Sequence, residues 1–185
     1  MFLGSNEGGI RGKTPYVLDR FDLEYIRQFD FVHSGNYCFM EKELPKIHEV
    51  GVPISFDFSD DSEDSYYAEV APTVDYAFCS FDGTDEEARE HLKKIVSYGP
   101  KLAVASRGAD GCILYDGQEY YVQKAVPIKE VVDTMGAGDS LITSFMVAYT
   151  DHLKKGITGE TAIRESLAAA AEFASFIGNF SNRQK

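Results

Sequence analysis

Residues 76–105, YAFCSFDGTDEEAREHLKKIVSYGPKLAVA, hold a complete strand–helix–strand unit. Tyr76–Cys79 and Leu102–Ala105 are apolar runs of strand length. Between them, Thr84 stands where a capping side chain belongs, ahead of a helix predicted for Asp85–Tyr98. The same alternation continues upstream. Asp22–Gln28 reads as a short helix, Phe29–His33 as a strand running into the turn Ser34-Gly35-Asn36, and Met40–Val50 as a helix. The break Gly51-Val52-Pro53 leads into a strand over Ile54–Phe58. Downstream, Cys112–Tyr115 and Tyr120–Gln123 form a predicted hairpin, and helices over Gly138–His152 and Thr158–Ile177 close the chain. Ala168–Ala171 in the last helix predicts close packing on a neighbour. The pattern is that of an α/β fold, a mostly parallel sheet flanked by helices.

Two stretches stand outside this scheme. The acidic run Asp60-Asp61-Ser62-Glu63-Asp64 reads as a solvated loop, with a cation role as the competing reading. Residues 1–18 carry glycines at 4, 8, 9 and 12 without a period. They read as a flap or the remnant of a longer N-terminal region, leaving 19–180 as the α/β domain.

Composition bounds the chemistry. The chain has 185 residues, and 18 Lys+Arg against 30 Asp+Glu give a net charge of −12. One domain of this size can bury roughly 70% of its unfolded surface. The acidic balance argues against general nucleic-acid binding and against an anionic membrane surface. Cys38, Cys79 and Cys112 are odd in number and widely spaced, as reduced thiols of a cytoplasmic protein would be. His33, His48, His91 and His152 show no metal-ligand spacing, so no structural metal is expected. No apolar run reaches the ~20 residues of a membrane span, and the start lacks a secretory pattern.

One glycine motif fails and another holds. Gly12-Lys13-Thr14 resembles the end of a P-loop, but Glu7 stands where its first glycine is required and Pro15 follows at once. The stretch Asp133-Thr134-Met135-Gly136-Ala137-Gly138-Asp139-Ser140, opening onto the apolar helix Leu141–Val147, has a physical rationale. Its glycines let backbone N–H groups turn toward one point at a helix N-terminus, where the dipole favours an anion. Asp139 in the first turn is then suited to accept the proton of a hydroxyl attacking a phosphoryl group. An ordinary capped helix start is the competing reading.

D-T-M-G-A-G-D-S resembles the D-T-x-G-A-G-D motif of the ribokinase (PfkB) family of carbohydrate kinases. Ser106-Arg107-Gly108-Ala109-Asp110-Gly111 resembles that family's T-x-G-x-x-G nucleotide loop, and the order of elements is kept from Phe29 to Gly178. Phe56-Asp57-Phe58-Ser59-Asp60 and Asp75–Ser80 are most similar to the fructoselysine 6-kinase branch. The resemblance implies a ribokinase-like fold, lacking the N-terminal strands and most of the lid. It implies ATP and Mg²⁺ as cofactors, and a hydroxyl of a sugar or fructosamine as acceptor. Asp139 would be the base, and the amides of Gly136, Ala137 and Gly138 the anion hole. Ser106, Arg107, Gly108 and Gly111, with Ser80, Asp133 and Thr134, would bind the nucleotide, and Asp57 the substrate. The family's N-x-x-E is replaced by Ser80-Phe81-Asp82-Gly83, leaving Asp82, Asp85 and Glu86 as the nearby carboxylates. A nucleotide-binding chain without turnover is the alternative, and a homodimer through an exposed sheet edge is a further expectation.

Overall fold

The computed structural model describes residues 13–60, 63–127 and 136–180. Six strands form one sheet in sequence order: β1 (Val32–Gly35), β2 (Ile54–Asp57), β3 (Tyr76–Ser80), β4 (Leu102–Ser106), β5 (Cys112–Tyr115) and β6 (Tyr120–Gln123). The first four are parallel, and β5 and β6 add an antiparallel hairpin. The helices are α1 (Arg20–Ile26), α2 (Leu44–Val50), α3 (Asp64–Val70), α4 (Asp85–Ser97), α5 (Ala137–Lys154) and α6 (Gly159–Phe180).

Period-two alternation sends the strand side chains to two cores. Ala77, Cys79, Ala103 and Ala105 share one face with Leu44 and Ile47 of α2, Tyr67 and Val70 of α3, and Leu92 and Ile95 of α4. Tyr76, Phe78, Leu102 and Val104 share the other with Phe145 and Met146 of α5 and Leu167 and Ala170 of α6. Of the alanine run in α6, Ala170 and Ala171 are buried while Ala168 and Ala169 are exposed. The result is a three-layer α/β arrangement.

The strand boundaries follow the sequence reading closely except at β1, which begins three residues later than expected. Asp30 instead pairs with Lys154 of α5 at 2.6 Å, and Phe29 packs edge-on against Tyr25. The acidic run is not simply a solvated loop. Asp64 opens α3, where it bonds Lys94 of α4 at 2.7 Å, and Asp61 and Ser62 lie outside the described residues. The three cysteines are free, and burial pushes the Cys79 and Cys112 thiols up to about 12.

Parallel pairing aligns the C-terminal ends of β1 to β4 on one rim. The register Gly35↔Asp57, Ser80↔Ser106, Ser106↔Cys112 and Cys112↔Gln123 carries that rim across the whole sheet. In open α/β sheets this is where ligands bind.

Candidate active site

A cavity of about 1040 Å³ opens at this rim, lined in part by Ser80, Ser106, Arg107, Gly108, Gly111, Ala137 and Gly138. Seven residues expected at a nucleotide or anion site therefore meet around one space. Apolar groups join them, among them Val126, Pro127, Leu141 and Ala174. A mostly apolar hollow with a few convergent polar groups fits a nucleotide in size and chemistry. Asp133 and Thr134 lie outside the described residues.

One wall of the cavity is built by β4 and the glycine turn after it. Ser106 Oγ lies 3.4 Å from Ser80 Oγ. The Arg107 guanidinium pairs with Asp85, and its second arm donates to the Gly83 carbonyl at 2.7 Å. Arg107 therefore braces the β3–α4 loop, and Asp85 is occupied by that brace. Gly111 sits at φ +92, where a Cβ would lie 2.0 Å from the Gln123 carbonyl oxygen. Its missing side chain admits the chain's own β6 exit.

The opposite wall is the start of α5. Gly136 is its N-cap in the left-handed region at φ 78, and among the described residues nothing lies within 4 Å of a Cβ placed on Gly136 or Gly138. The first intrahelical bond is Ser140 N–H to the Gly136 carbonyl at 2.9 Å, which leaves the amides of residues 137–139 ahead of the ladder. Ser140 Oγ also donates to that carbonyl, at 2.6 Å.

Asp139 and Asp57 do not line the cavity, and the Asp139 charge acts on the Asp57 carboxyl. Asp57 ends β2, and its Oδ1 accepts the Ser59 N–H at 2.8 Å. Burial raises the Asp57 carboxyl above the usual carboxylate range, the Ser59 bond opposes this, and the charges of Asp139 and Asp60 add to the rise. Asp60 also lines the cavity, so it links the two parts of the site. His33, on the same sheet face as Asp57, places Nδ1 3.0 Å from Ser55 Oγ. Desolvation by the surrounding protein lowers its imidazole, against the pull of Asp139 and Ser55.

His33 and Ser55 were not singled out in the sequence, and Asp60 was read there as part of a solvated acidic loop. The first two meet across neighbouring strands and share no local motif, and Asp60 is hidden in a charge run. Among the described residues no three His, Cys, Asp or Glu side chains converge to hold a metal ion. Mg²⁺ dehydrates reluctantly and commonly rides on substrate phosphates with one or two carboxylates. Among the described residues Asp60 and Asp82 line the cavity, and they are the carboxylates that would meet Mg²⁺ there. Among the described residues no helix is long and apolar enough to cross a membrane.

The comparisons with known proteins bear on the family and the fold. The pfkB family carbohydrate kinase profile matches residues 16–181. The chain is 36% identical over 181 residues to fructosamine kinase FrlD of Bacillus subtilis (strain 168), covering 97% of this chain and 62% of that protein. It is 32% identical over 165 residues to fructoselysine 6-kinase of Escherichia coli (strain K12), covering 89% and 61%. The chain thus spans about three-fifths of the length of these relatives. Arabidopsis thaliana ribokinase complexed with ribose and ATP superposes with a TM-score of 0.67 at 24% identity, over 85% of this chain and 53% of that one. The microbiome-derived acarbose kinase Mak1 superposes at 0.71 with 22% identity, over 89% and 54%. These two share the fold. With its rim cavity, glycine-started helix and sequence relatives, the chain belongs to the pfkB family of carbohydrate kinases.

Proposed function

We propose that this chain carries the nucleotide and phosphoryl-transfer part of an ATP-dependent kinase acting on a hydroxyl of a sugar or fructosamine. One observation carries the reading: the open amides at the start of α5 border the same cavity as the β4 glycine loop, with Asp139 one residue further on. ATP held between those walls presents its terminal phosphoryl group to the amides of Gly136, Ala137 and Gly138. They offset the charge that spreads over the phosphoryl oxygens during transfer. Asp139 accepts the proton of the attacking hydroxyl, and Asp57 helps orient the acceptor. Mg²⁺, when bound, neutralises part of the phosphate charge. A fructosamine acceptor is favoured by the named relatives, fructosamine kinase and fructoselysine 6-kinase. A cytoplasmic setting suits such a substrate.

The test is ADP formation with Mg-ATP and a panel of fructoselysine, fructose and ribose. Loss of a general base is expected to cut turnover by at least about 10²-fold in Asp139→Asn, with nucleotide affinity kept. Turnover unchanged in that variant would refute the assignment. A second reading rests on the covered length of 61–62% of the relatives: nucleotide binding without turnover. ADP binding with no phosphorylation of any acceptor would select it.

A further inference from the structure

We propose that Arg107 is a positioning residue, which braces the loop between β3 and α4 so that Asp82 stays on the cavity wall for the metal ion of the nucleotide. This rests on the kinase reading above and names what holds its cation side in place. Of the three carboxylates near that loop, Asp82, Asp85 and Glu86, only Asp82 lines the cavity. Its side chain makes no hydrogen bond or ion pair among the described residues, whereas Asp85 is held by the Arg107 guanidinium. A carboxylate on the wall of a cavity for phosphates repels them unless a cation lies between. Asp82 therefore suits a nucleotide that arrives with Mg²⁺.

The loop is tied down on both sides of Asp82. Before it, the Phe81 N–H donates to the Ser106 carbonyl at 2.9 Å, and the Phe81 ring lies against His91 of α4 with centroids 5.2 Å apart. After it, the Gly83 carbonyl accepts from Arg107 at 2.7 Å. Arg107 is itself anchored in the glycine turn, its backbone N–H donating to the Gly111 carbonyl at 2.8 Å. Its side chain is only 10% exposed. The two terminal nitrogens hold Asp85 and Gly83, and Nε is enclosed without a partner among the described residues. The sequence pattern placed Arg107 among the nucleotide ligands; its guanidinium is instead engaged by the neighbouring loop.

The experiment measures ADP binding by calorimetry to the whole chain, to Arg107→Gln, to Asp82→Asn and to the double variant, each with Mg²⁺ and with EDTA. The readout is the factor by which Mg²⁺ tightens ADP. Losing a residue that orients a metal ligand typically costs about 10–100-fold in metal affinity, so that factor is expected to fall about 10-fold or more in either single variant. The double variant is expected to lose no more than Asp82→Asn alone, since both residues act through one carboxylate. A lost phosphate ligand would leave the factor unchanged or raise it, because Mg²⁺ would then carry more of the phosphate charge. Either result in Arg107→Gln overturns the proposal, as do losses that add in the double variant. Asp85→Ala opens the brace from its other end and keeps the Arg107 charge. It is expected to lower the factor too, and decides the matter if Arg107→Gln does not fold, an unchanged factor again overturning the proposal. A parent chain that binds ADP equally with and without Mg²⁺ refutes the role of Asp82, whereas no ADP binding at all refutes the kinase reading itself.

Discussion

At the scale of single residues, the two loop glycines separate two reasons for having no side chain. Gly108 has φ +55 and open space around a Cβ, so only its backbone conformation resists substitution. Gly111 combines φ +92 with backbone atoms at 2.0 Å and 2.6 Å, the Gln123 oxygen and the Ala125 nitrogen. Backbone cannot swing aside as a flexible side chain can. Gly108→Ala is therefore expected to cost about 1–2 kcal/mol, the usual penalty of a left-handed non-glycine residue. Gly111→Ala is expected to cost about 3 kcal/mol or more, because β6 must shift as well. Urea midpoints at constant m-value measure both, and equal losses would refute the distinction. The glycine spacing was legible in the sequence; the difference in purpose was not, because it depends on how closely β6 returns to the loop.

Among the elements, what was legible had a local cause. α4 was readable because Thr84 caps it, accepting the Glu87 N–H at 3.3 Å while the Glu87 carboxylate accepts the Thr84 N–H at 2.9 Å. β2 to β4 were readable as apolar runs between turn residues. α3 was missed: it has two turns, too few for a period to show, and its buried Tyr67 and Val70 follow an acidic run. The link between α1 and α2 was equally invisible. Glu43, just ahead of α2 and buried, accepts the Leu18 N–H and the Lys46 ammonium, each at 2.7 Å. Burial alone would raise its carboxyl, but those hydrogen bonds outweigh it and hold the group below the ordinary carboxylate value. Its stabilising effect is present at neutral pH and is lost as acid protonates it. Glu43→Gln removes the charge but keeps the shape. It is expected to cost about 1–3 kcal/mol near pH 7, a buried donor having lost its charged partner. The gap from the parent should close toward pH 3, and a gap constant from pH 7 to 3 would contradict the role.

For the whole molecule, two histidines on opposite faces of the sheet set opposing pH dependences. His91 of α4 lies between Tyr67 and Phe81, with ring centroids 5.2 Å from each, and its Nε2 is 3.3 Å from the Tyr67 hydroxyl. Burial lowers its imidazole, Lys94 on its own helix lowers it further, and Asp64 of α3 opposes both. His152 of α5 bonds the Ala148 carbonyl at 2.6 Å and Glu165 of α6 at 2.7 Å, and both raise it. The unfolded chain takes up a proton at His91's position near the ordinary 6.5, before the folded chain does. His91 therefore favours folding above that pH and loses its effect as pH falls. His152 favours folding below 6.5 and loses its effect as pH rises through its higher folded value. Melting temperatures between pH 7.5 and 5 can separate the two. His91→Gln is expected to fall less on acidification than the parent, and His152→Gln to fall more. Parallel curves for all three would mean that neither histidine is held as the packing requires. Because His91 also lines the rim cavity, the same series with ADP reports whether nucleotide binding shields it from protonation.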